Sequence, residues 1–213
     1  MAFYIDSADR ALIEELWSAG VFAGVTTNPT ILDRSGLGQR DLPELYAWLT
    51  DLGVRSVYVQ VLGRTRGEML RSADGIRALG PVTVKVPATA DGFAAAGELV
   101  RQGTPVLLTA VYHPVQAVLA RDVGIQGVAP YVGRMTDAGR DGVAAVTAMQ
   151  QAIGPAPTRI LAASLRGADD VARLAAAGVP DFTLGAAVAR SVLEDELTGA
   201  AVEEFEAAAA RHA

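Results

Sequence analysis

The chain of 213 residues contains no cysteine, two histidines and a single lysine. Without cysteine it has no disulfide, no thiol nucleophile and no zinc site built on thiolates. One histidine, His212, is in the tail, which also disfavours a His-rich metal site or a catalytic triad. No apolar run approaches the ~20 residues that a membrane span needs. Because Asp6 and Asp9 interrupt the start, we expect no signal peptide and a cytoplasmic location.

Charge and hydrophobicity set further limits. The chain is 51% hydrophobic and 20% charged, with a formal net charge of −6. That composition predicts one globular domain over residues 1–213 with a sizeable core. The negative charge argues against nucleic acid or an anionic membrane as the main partner.

The single lysine, Lys85, lies in an apolar run that reads Val82-Thr83-Val84-Lys85-Val86-Pro87. Burying an ammonium group is costly unless the group is paired or loses its proton. A bias toward arginine could explain why lysine is rare, but not why the remaining lysine lies in a buried strand. We therefore interpret Lys85 as an amine retained for its chemistry.

Short β-type runs alternate with alanine-rich helical segments along the whole chain. The predicted strands are 3–6, 24–28, 56–61, 82–86, 106–110, 126–131, 159–164 and 182–184. The predicted helices between them are 9–19, 41–52, 66–79, 91–102, 114–122, 142–153 and 168–177. Such alternation indicates βα units and a parallel sheet. Eight units predict an α/β fold of the (β/α)8 TIM-barrel type.

A doubly wound sheet is the second choice for the fold, since no Gly-x-Gly-x-x-Gly follows the first strand. An extra helix over 198–212 follows the last strand, with Val202, Phe205, Ala208 and Ala209 on one face. It packs either on its own barrel or on a neighbouring subunit.

Side chains alternate between the two faces of a strand, so parity predicts which residues point into the barrel. With the valines of their strands facing the helices, Lys85 and Gln60 face the axis. The same alternation predicts that Leu161 and Ala163 of the seventh strand face outward and that Ala162 faces inward. The inward polar residues near the carboxyl ends are Asp6, Gln60, Lys85, Thr109, Tyr131 and Ser164, and Asn28 and Thr26 share one face of the second strand. Barrel active sites lie at that end.

This set permits imine chemistry. A neutral lysine amine can attack a ketone and form a Schiff base, which then accepts electrons from a neighbouring C–C bond. Asp6 could move a proton at a substrate hydroxyl, or it could only pair with Lys85. Gln60 and Thr109 can hold a water, and Tyr131 can donate a proton or orient that water. Each polar residue alone could equally be a satisfied hydrogen-bonding group of the barrel interior.

Arg134 and Arg166 follow strands six and seven, on the loop side of the barrel. Guanidinium groups there suit a phosphate, and loops after late barrel strands often bind one. An exposed arginine without a partner is the alternative for either residue.

The segments Gly24-Val25-Thr26-Thr27-Asn28-Pro29-Thr30, Val84-Lys85-Val86-Pro87 and Ala129-Pro130-Tyr131-Val132-Gly133-Arg134 resemble the transaldolase family. The likeness is closest to its small-subunit branch, which includes fructose-6-phosphate aldolase. The resemblance implies a barrel enzyme that needs no metal or cofactor. It implies Lys85 as the Schiff-base lysine, Asp6 as the proton-transfer acid and Asn28 as a ligand of the dihydroxyacetone part.

The resemblance also implies that Ser164, Arg134 and Arg166 contact the phosphate of a sugar phosphate. In this branch the C-terminal helix is exchanged within ring-shaped homo-oligomers, so a pentamer or decamer is expected. Gln60 and Tyr131 match the aldolase branch, where transaldolases have Glu and typically Phe. Arg166 matches the transaldolase pattern, where the aldolases have Lys.

Three functions follow as hypotheses. The first is a class I aldolase that cleaves fructose 6-phosphate to dihydroxyacetone and glyceraldehyde 3-phosphate. The second is a transaldolase of the pentose phosphate pathway that transfers the dihydroxyacetone unit to erythrose 4-phosphate. The third is a barrel that binds a sugar phosphate without catalysis, which predicts no covalent adduct at Lys85.

Overall fold

Eight parallel strands close into a barrel in the computed structural model, which describes residues 1–211. The strands are β1 (Ala2–Asp6), β2 (Phe22–Thr26), β3 (Ser56–Gln60), β4 (Thr83–Pro87), β5 (Val106–Val111), β6 (Gly127–Pro130), β7 (Arg159–Ala162) and β8 (Asp181–Leu184). Each pairs with its neighbours in chain order, and β8 closes on β1. The predicted (β/α)8 barrel is therefore confirmed.

Helices follow the strands, and most of them cover the outside of the barrel. They are α1 (Arg10–Trp17), α2 (Pro29–Arg34), α3 (Leu42–Asp51), α4 (Arg66–Arg77), α5 (Ala90–Arg101), α6 (Pro114–Val123), α7 (Val132–Asp137), α8 (Gly142–Ile153), α9 (Ala168–Ala176), α10 (Ala186–Leu193) and α11 (Glu196–Ala210). The helices α2, α7 and α10 were not predicted; α2 and α7, with six residues each, offer too few turns for an apolar periodicity. Within residues 1–211, no helix is long and apolar enough to cross a membrane.

Local sequence signals fix where several helices begin. Asn28 ends the strand region and caps α2, since its side-chain oxygen accepts a hydrogen bond from the Ile31 amide at 3.0 Å. Pro29 occupies the first helical position, where the missing N–H is not needed. Thr65 and Glu68 form a capping box at the start of α4. The predicted second strand was thus too long at its carboxyl end.

Two apolar layers separate cleanly. The larger layer lies between barrel and helices and includes Val57, Val59, Val84 and Val86. A smaller cluster fills the barrel interior with Tyr4, Leu107, Ala129 and Leu161, with Ala2 and Tyr58 packed against it. The outward valines of β3 and β4 agree with the predicted parity.

The parity predicted for β7 is wrong. Leu161 lies in the interior cluster, whereas Ala162 belongs to the outer layer. The run from Ile160 to Ala163 is apolar on both faces, so the sequence offers no polar residue to fix its orientation. Ser164 then adopts a left-handed backbone with φ 58°, which ends the alternation and turns its side chain to the cavity described below.

The C-terminal helix α11 has no buried residue. Leu197 and Phe205 on this helix are 81% and 67% exposed, and Val202 is half exposed. The alternative in which it packs on its own barrel is therefore not observed. His212, the last residue of the predicted helix, lies outside the described residues.

Candidate active site

A cavity of about 490 Å³ opens at the carboxyl ends of the barrel strands. It is lined by several of the predicted site residues, namely Asp6, Asn28, Lys85, Tyr131, Arg134, Ser164 and Arg166. Thr26, Thr109 and Gln60 do not line it but lie beside residues that do. Its apolar lining includes Leu107, Ala129, Leu161 and Ala163.

Lys85 reaches the cavity from β4 and is 4% exposed. Its Nζ donates a hydrogen bond to the main-chain carbonyl of Thr27 at 2.6 Å. Burial lowers the pKa of Lys85, and the negative charge of Asp6 opposes that shift without cancelling it. Lowering the pKa enlarges the fraction of neutral amine near pH 7, which is the nucleophilic form.

Asp6 is oriented by a chain of hydroxyl groups. The Thr26 hydroxyl donates to Asp6 Oδ1 at 2.6 Å and lies 2.6 Å from the Thr183 hydroxyl oxygen. A threonine hydroxyl has only one proton, so Thr183 must donate to Thr26. Both threonines are buried. The chain leaves one carboxylate oxygen of Asp6 outside this network, at the edge of the cavity.

Tyr131 presents a protonated hydroxyl to the same space. Its oxygen lies 3.0 Å from the Thr109 hydroxyl, and Tyr112 packs edge-on against its ring. Burial is the main cause that raises the pKa of Tyr131, although the Thr109 hydrogen bond acts in the other direction. At neutral pH the phenol therefore keeps its proton and can donate it.

Gln60 stands in register with Lys85 on the neighbouring strand β3 and is partly buried. Within residues 1–211 its side chain makes no hydrogen bond to the protein. Its amide is therefore available to a water or a substrate atom. That Gln60 and Thr109 together hold a water stays a prediction.

The two arginines at the mouth have different surroundings. The Arg134 guanidinium lies 4.7 Å from the centroid of the Tyr131 ring, a cation–π contact. Arg166 pairs instead with Asp137, and its Nη1 lies 3.5 Å from Ser164 Oγ. Among the described residues, Arg134 has no carboxylate partner. The arrangement thus offers one unpaired and one paired guanidinium to an anion.

Sequence reasoning missed three contributors: Thr183, the Thr27 carbonyl and Asp137. Thr183 stands between Phe182 and Leu184, so the parity count applied to β8 would have turned it inward. The Thr27 carbonyl and Asp137 carry no comparable signal, because a main-chain acceptor and a contact between a helix end and a distant loop depend on tertiary structure. Residues 1–211 contain no group of three or more His, Asp or Glu side chains placed to hold a metal ion.

Solved structures with a similar fold include mandelate oxidase with benzoyl-formic acid and a mandelate oxidase variant with a monooxide FMN adduct. Their TM-scores are 0.62 and 0.60, at 14% and 15% sequence identity. They cover 87% and 88% of this chain, which spans 64% and 65% of their length. This similarity concerns the barrel fold alone.

Sequence relatives are more specific. A probable transaldolase of Paracoccus denitrificans (strain Pd 1222) is 33% identical over 210 residues, covering 97% of this chain and 95% of the relative. A probable transaldolase of Alkaliphilus metalliredigens (strain QYMF) is 33% identical over 208 residues, covering 96% of each chain. The family model described as Transaldolase/Fructose-6-phosphate aldolase matches residues 3–213. Lys85 and Asp6 line the same cavity of this barrel. The chain thus belongs to the transaldolase/fructose-6-phosphate aldolase family, which is a family of enzymes.

Proposed function

We propose that this protein is a class I aldolase that reversibly cleaves fructose 6-phosphate to dihydroxyacetone and glyceraldehyde 3-phosphate. The observation that carries the proposal is Lys85, a buried amine with a lowered pKa at the floor of a cavity shared with Asp6 and Tyr131. Sugar phosphates as substrates follow from the family. We expect the reaction to take place in the cytoplasm.

The proposed reaction begins with attack of the neutral Lys85 amine on the ketone carbon of the sugar. Loss of water gives an iminium ion. Asp6 then accepts the proton of the C4 hydroxyl, the C3–C4 bond breaks, and its electron pair moves to the iminium nitrogen as an enamine. Glyceraldehyde 3-phosphate leaves at this stage. Asn28, whose side-chain oxygen caps α2, keeps its amide N–H groups for the dihydroxyacetone hydroxyls.

The fate of the enamine decides between the two activities of the family. Protonation of C3, followed by hydrolysis of the iminium, releases dihydroxyacetone and regenerates Lys85. The Tyr131 hydroxyl supports this route, because it is protonated and adjoins Thr109. A transaldolase is the second candidate, in which the enamine instead attacks erythrose 4-phosphate. It is favoured by the names of the curated relatives.

Borohydride trapping with dihydroxyacetone tests the covalent step. Since Lys85 is the only lysine, the N-terminal amine is the only other primary amine available. Peptide mass mapping should find the reduced adduct on Lys85 and none after Lys85→Arg, which should also abolish turnover while the fold is kept. Wild-type protein without an adduct would exclude imine chemistry and favour a barrel that only binds sugar phosphates.

Two assays then separate aldolase from transaldolase. Release of glyceraldehyde 3-phosphate is measured without an acceptor, and transfer is measured with erythrose 4-phosphate. We expect release without an acceptor. Strict dependence on erythrose 4-phosphate would identify a transaldolase instead.

We also propose a homo-oligomer, with a ring-based pentamer or decamer as the form implied by the family resemblance. Helix α11 supports this proposal, since it exposes Leu197, Val202 and Phe205. Light scattering of the full chain should report an oligomer, and Phe205→Ser should weaken it. A monomer at micromolar concentration would contradict the proposal.

A further inference from the structure

Arg134 and Arg166 form the candidate phosphate site. Arg166 is already paired with a carboxylate of the protein. The Arg166 Nη2 contacts Asp137 Oδ2, and its Nε lies 3.4 Å from Asp137 Oδ1. The Arg166 side chain is about half exposed, and that of Asp137 is 60% exposed. The Arg166 guanidinium lowers the pKa of Asp137, so the carboxylate is charged at neutral pH.

The position of Arg166 is determined by its surroundings. The main-chain N–H of Arg166 donates to Asp170 Oδ2 at 2.9 Å, which fixes the backbone. The guanidinium lies against the start of α7 at Gly133, where a Cβ would be 2.6 Å from Cζ and 2.7 Å from Nε. Any residue larger than glycine would therefore push the guanidinium away. Asp137, at the end of the same helix, contacts the guanidinium in this position.

The contrast with Arg134 is informative. Both guanidinium groups line the cavity, yet within residues 1–211 only Arg166 has a carboxylate partner. A phosphate that enters the cavity meets an unpaired Arg134 but must compete with Asp137 for Arg166. A substrate without phosphate meets no such competition, because it needs neither guanidinium.

We propose that Asp137 competes with the substrate phosphate for Arg166 and so reduces the preference of this site for phosphorylated over non-phosphorylated aldehydes. The proposal rests on the proposed function, since it assigns a substrate class to the same cavity. Short hydroxyaldehydes without phosphate, such as glyceraldehyde, then react with the dihydroxyacetone unit at a smaller disadvantage relative to glyceraldehyde 3-phosphate. Asp137 is on this view a specificity-determining residue, and Arg166 is the group through which it acts.

The test compares Asp137→Asn with wild type in the synthesis direction, with dihydroxyacetone as donor and either glyceraldehyde 3-phosphate or glyceraldehyde as acceptor. The amide keeps the shape of Asp137 but removes its charge. An exposed ion pair is worth at most about 1 kcal/mol, so we expect kcat/KM for the phosphorylated acceptor to rise about 1.5-fold to fivefold. The value for glyceraldehyde should stay unchanged.

Asp169→Asn is the matched control. Asp169 is exposed in the first turn of α9 and has no contact with Arg166, so it changes the net charge equally without touching the pair. We expect its ratio of the two kcat/KM values to equal that of wild type. An equal rise in both variants would mean a general charge effect and would overturn the proposal, as would an unchanged ratio in Asp137→Asn.

A binding measurement separates this proposal from the proposed function. Titration with inorganic phosphate, followed by calorimetry, needs no turnover. Asp137→Asn should bind phosphate more tightly than wild type and Asp169→Asn, and adding Arg166→Met to Asp137→Asn should remove the gain. If wild type forms no imine yet this order holds, the aldolase proposal fails and the role of Asp137 stands. If imine forms but all variants bind phosphate equally, the aldolase proposal stands and the role of Asp137 is refuted.

Discussion

The Nζ of Lys85 lies 2.6 Å from the main-chain carbonyl oxygen of Thr27, which is the hydrogen-bond acceptor that holds this amine in place. A carbonyl oxygen can accept a hydrogen bond from either an amine or an ammonium group. Within residues 1–211 Lys85 forms no ion pair at contact distance, so no direct carboxylate contact compensates its buried charge. This geometry favours the neutral form that imine formation requires.

Because the pKa of Lys85 is lowered in the folded protein, the free energy of unfolding should depend on pH. The folded-state pKa of Lys85 is lowered, whereas the unfolded chain keeps a value near ~10.4. Between those two values the unfolded chain binds more protons, so wild-type stability rises with pH there. Lys85→Met lacks this contribution. We expect it to be more stable than wild type at pH 7, and the gap to shrink by about 1.4 kcal/mol for each pH unit across that window.

Urea unfolding of both proteins at several pH values and one protein concentration measures this difference. The comparison cancels the titration of groups that the two proteins share. Parallel stability curves would show that Lys85 is protonated in the folded protein, contrary to the lowered pKa.

Tyr131→Phe should change how the enamine is partitioned. The hydroxyl shared with Thr109 would be lost, and with it the proposed proton donor, whereas the ring would stay between Tyr112 and Arg134. General acid catalysis contributes typically ~10²-fold or more, so release of dihydroxyacetone should slow by about that factor. Transfer to an acceptor aldehyde should slow much less. Steady-state rates with and without erythrose 4-phosphate measure both.

Tyr112→Phe is the control for that experiment, since it also removes one phenol next to the site but not the one that contacts Thr109. We expect it to leave the ratio of release to transfer unchanged. Equal loss of both rates in Tyr131→Phe would refute the partition argument.

Much of the site could be predicted because β3 and β4 alternate valine with polar residues, which fixes the inward face of Gln60 and Lys85. The same rule failed on β7, where Leu161 and Ala162 are both apolar and the backbone of Ser164 is left-handed. The Asp137–Arg166 pair joins residues 29 positions apart, one at the end of α7 and the other in the loop after β7. No periodicity relates such positions, and so that contact required the structure.

Thr183→Val should lower kcat with little change in KM. The valine keeps the shape of the threonine but cannot donate to Thr26, which leaves the Thr26 hydroxyl free to turn away from Asp6. Losing one partner of a buried hydrogen bond costs about 1–3 kcal/mol, so cleavage should slow on the order of tenfold or more. Thr183→Ser should restore the rate. Borohydride trapping with dihydroxyacetone should be unaffected, since that step does not use Asp6 as a base.

Thr158→Val separates this effect from loss of stability. Thr158 is also a buried threonine, and its hydroxyl donates to the Ile125 carbonyl at 2.8 Å, away from the cavity. It should destabilise the fold comparably while leaving kcat intact. If Thr183→Val lowers stability but not kcat, Thr183 only supports the barrel.

Gly133→Ala should destabilise the fold and change the candidate phosphate site. An added Cβ would lie 2.2 Å from the main-chain oxygen of Ser164, which is a backbone atom and cannot turn aside, and 2.6 Å from Arg166 Cζ. Overpacking of this kind costs about 1–3 kcal/mol.

Gly75→Ala is the control, because it adds the same methyl group in α4 with nothing within 4 Å. Replacing glycine in a helix should stabilise the protein by ~0.5–1 kcal/mol. Urea unfolding and phosphate titration measure the two effects. Since Arg166 must move to admit the methyl, phosphate binding should change in Gly133→Ala and not in Gly75→Ala. Unchanged stability and binding in Gly133→Ala would mean that the contact between α7 and the loop after β7 is looser than these distances imply.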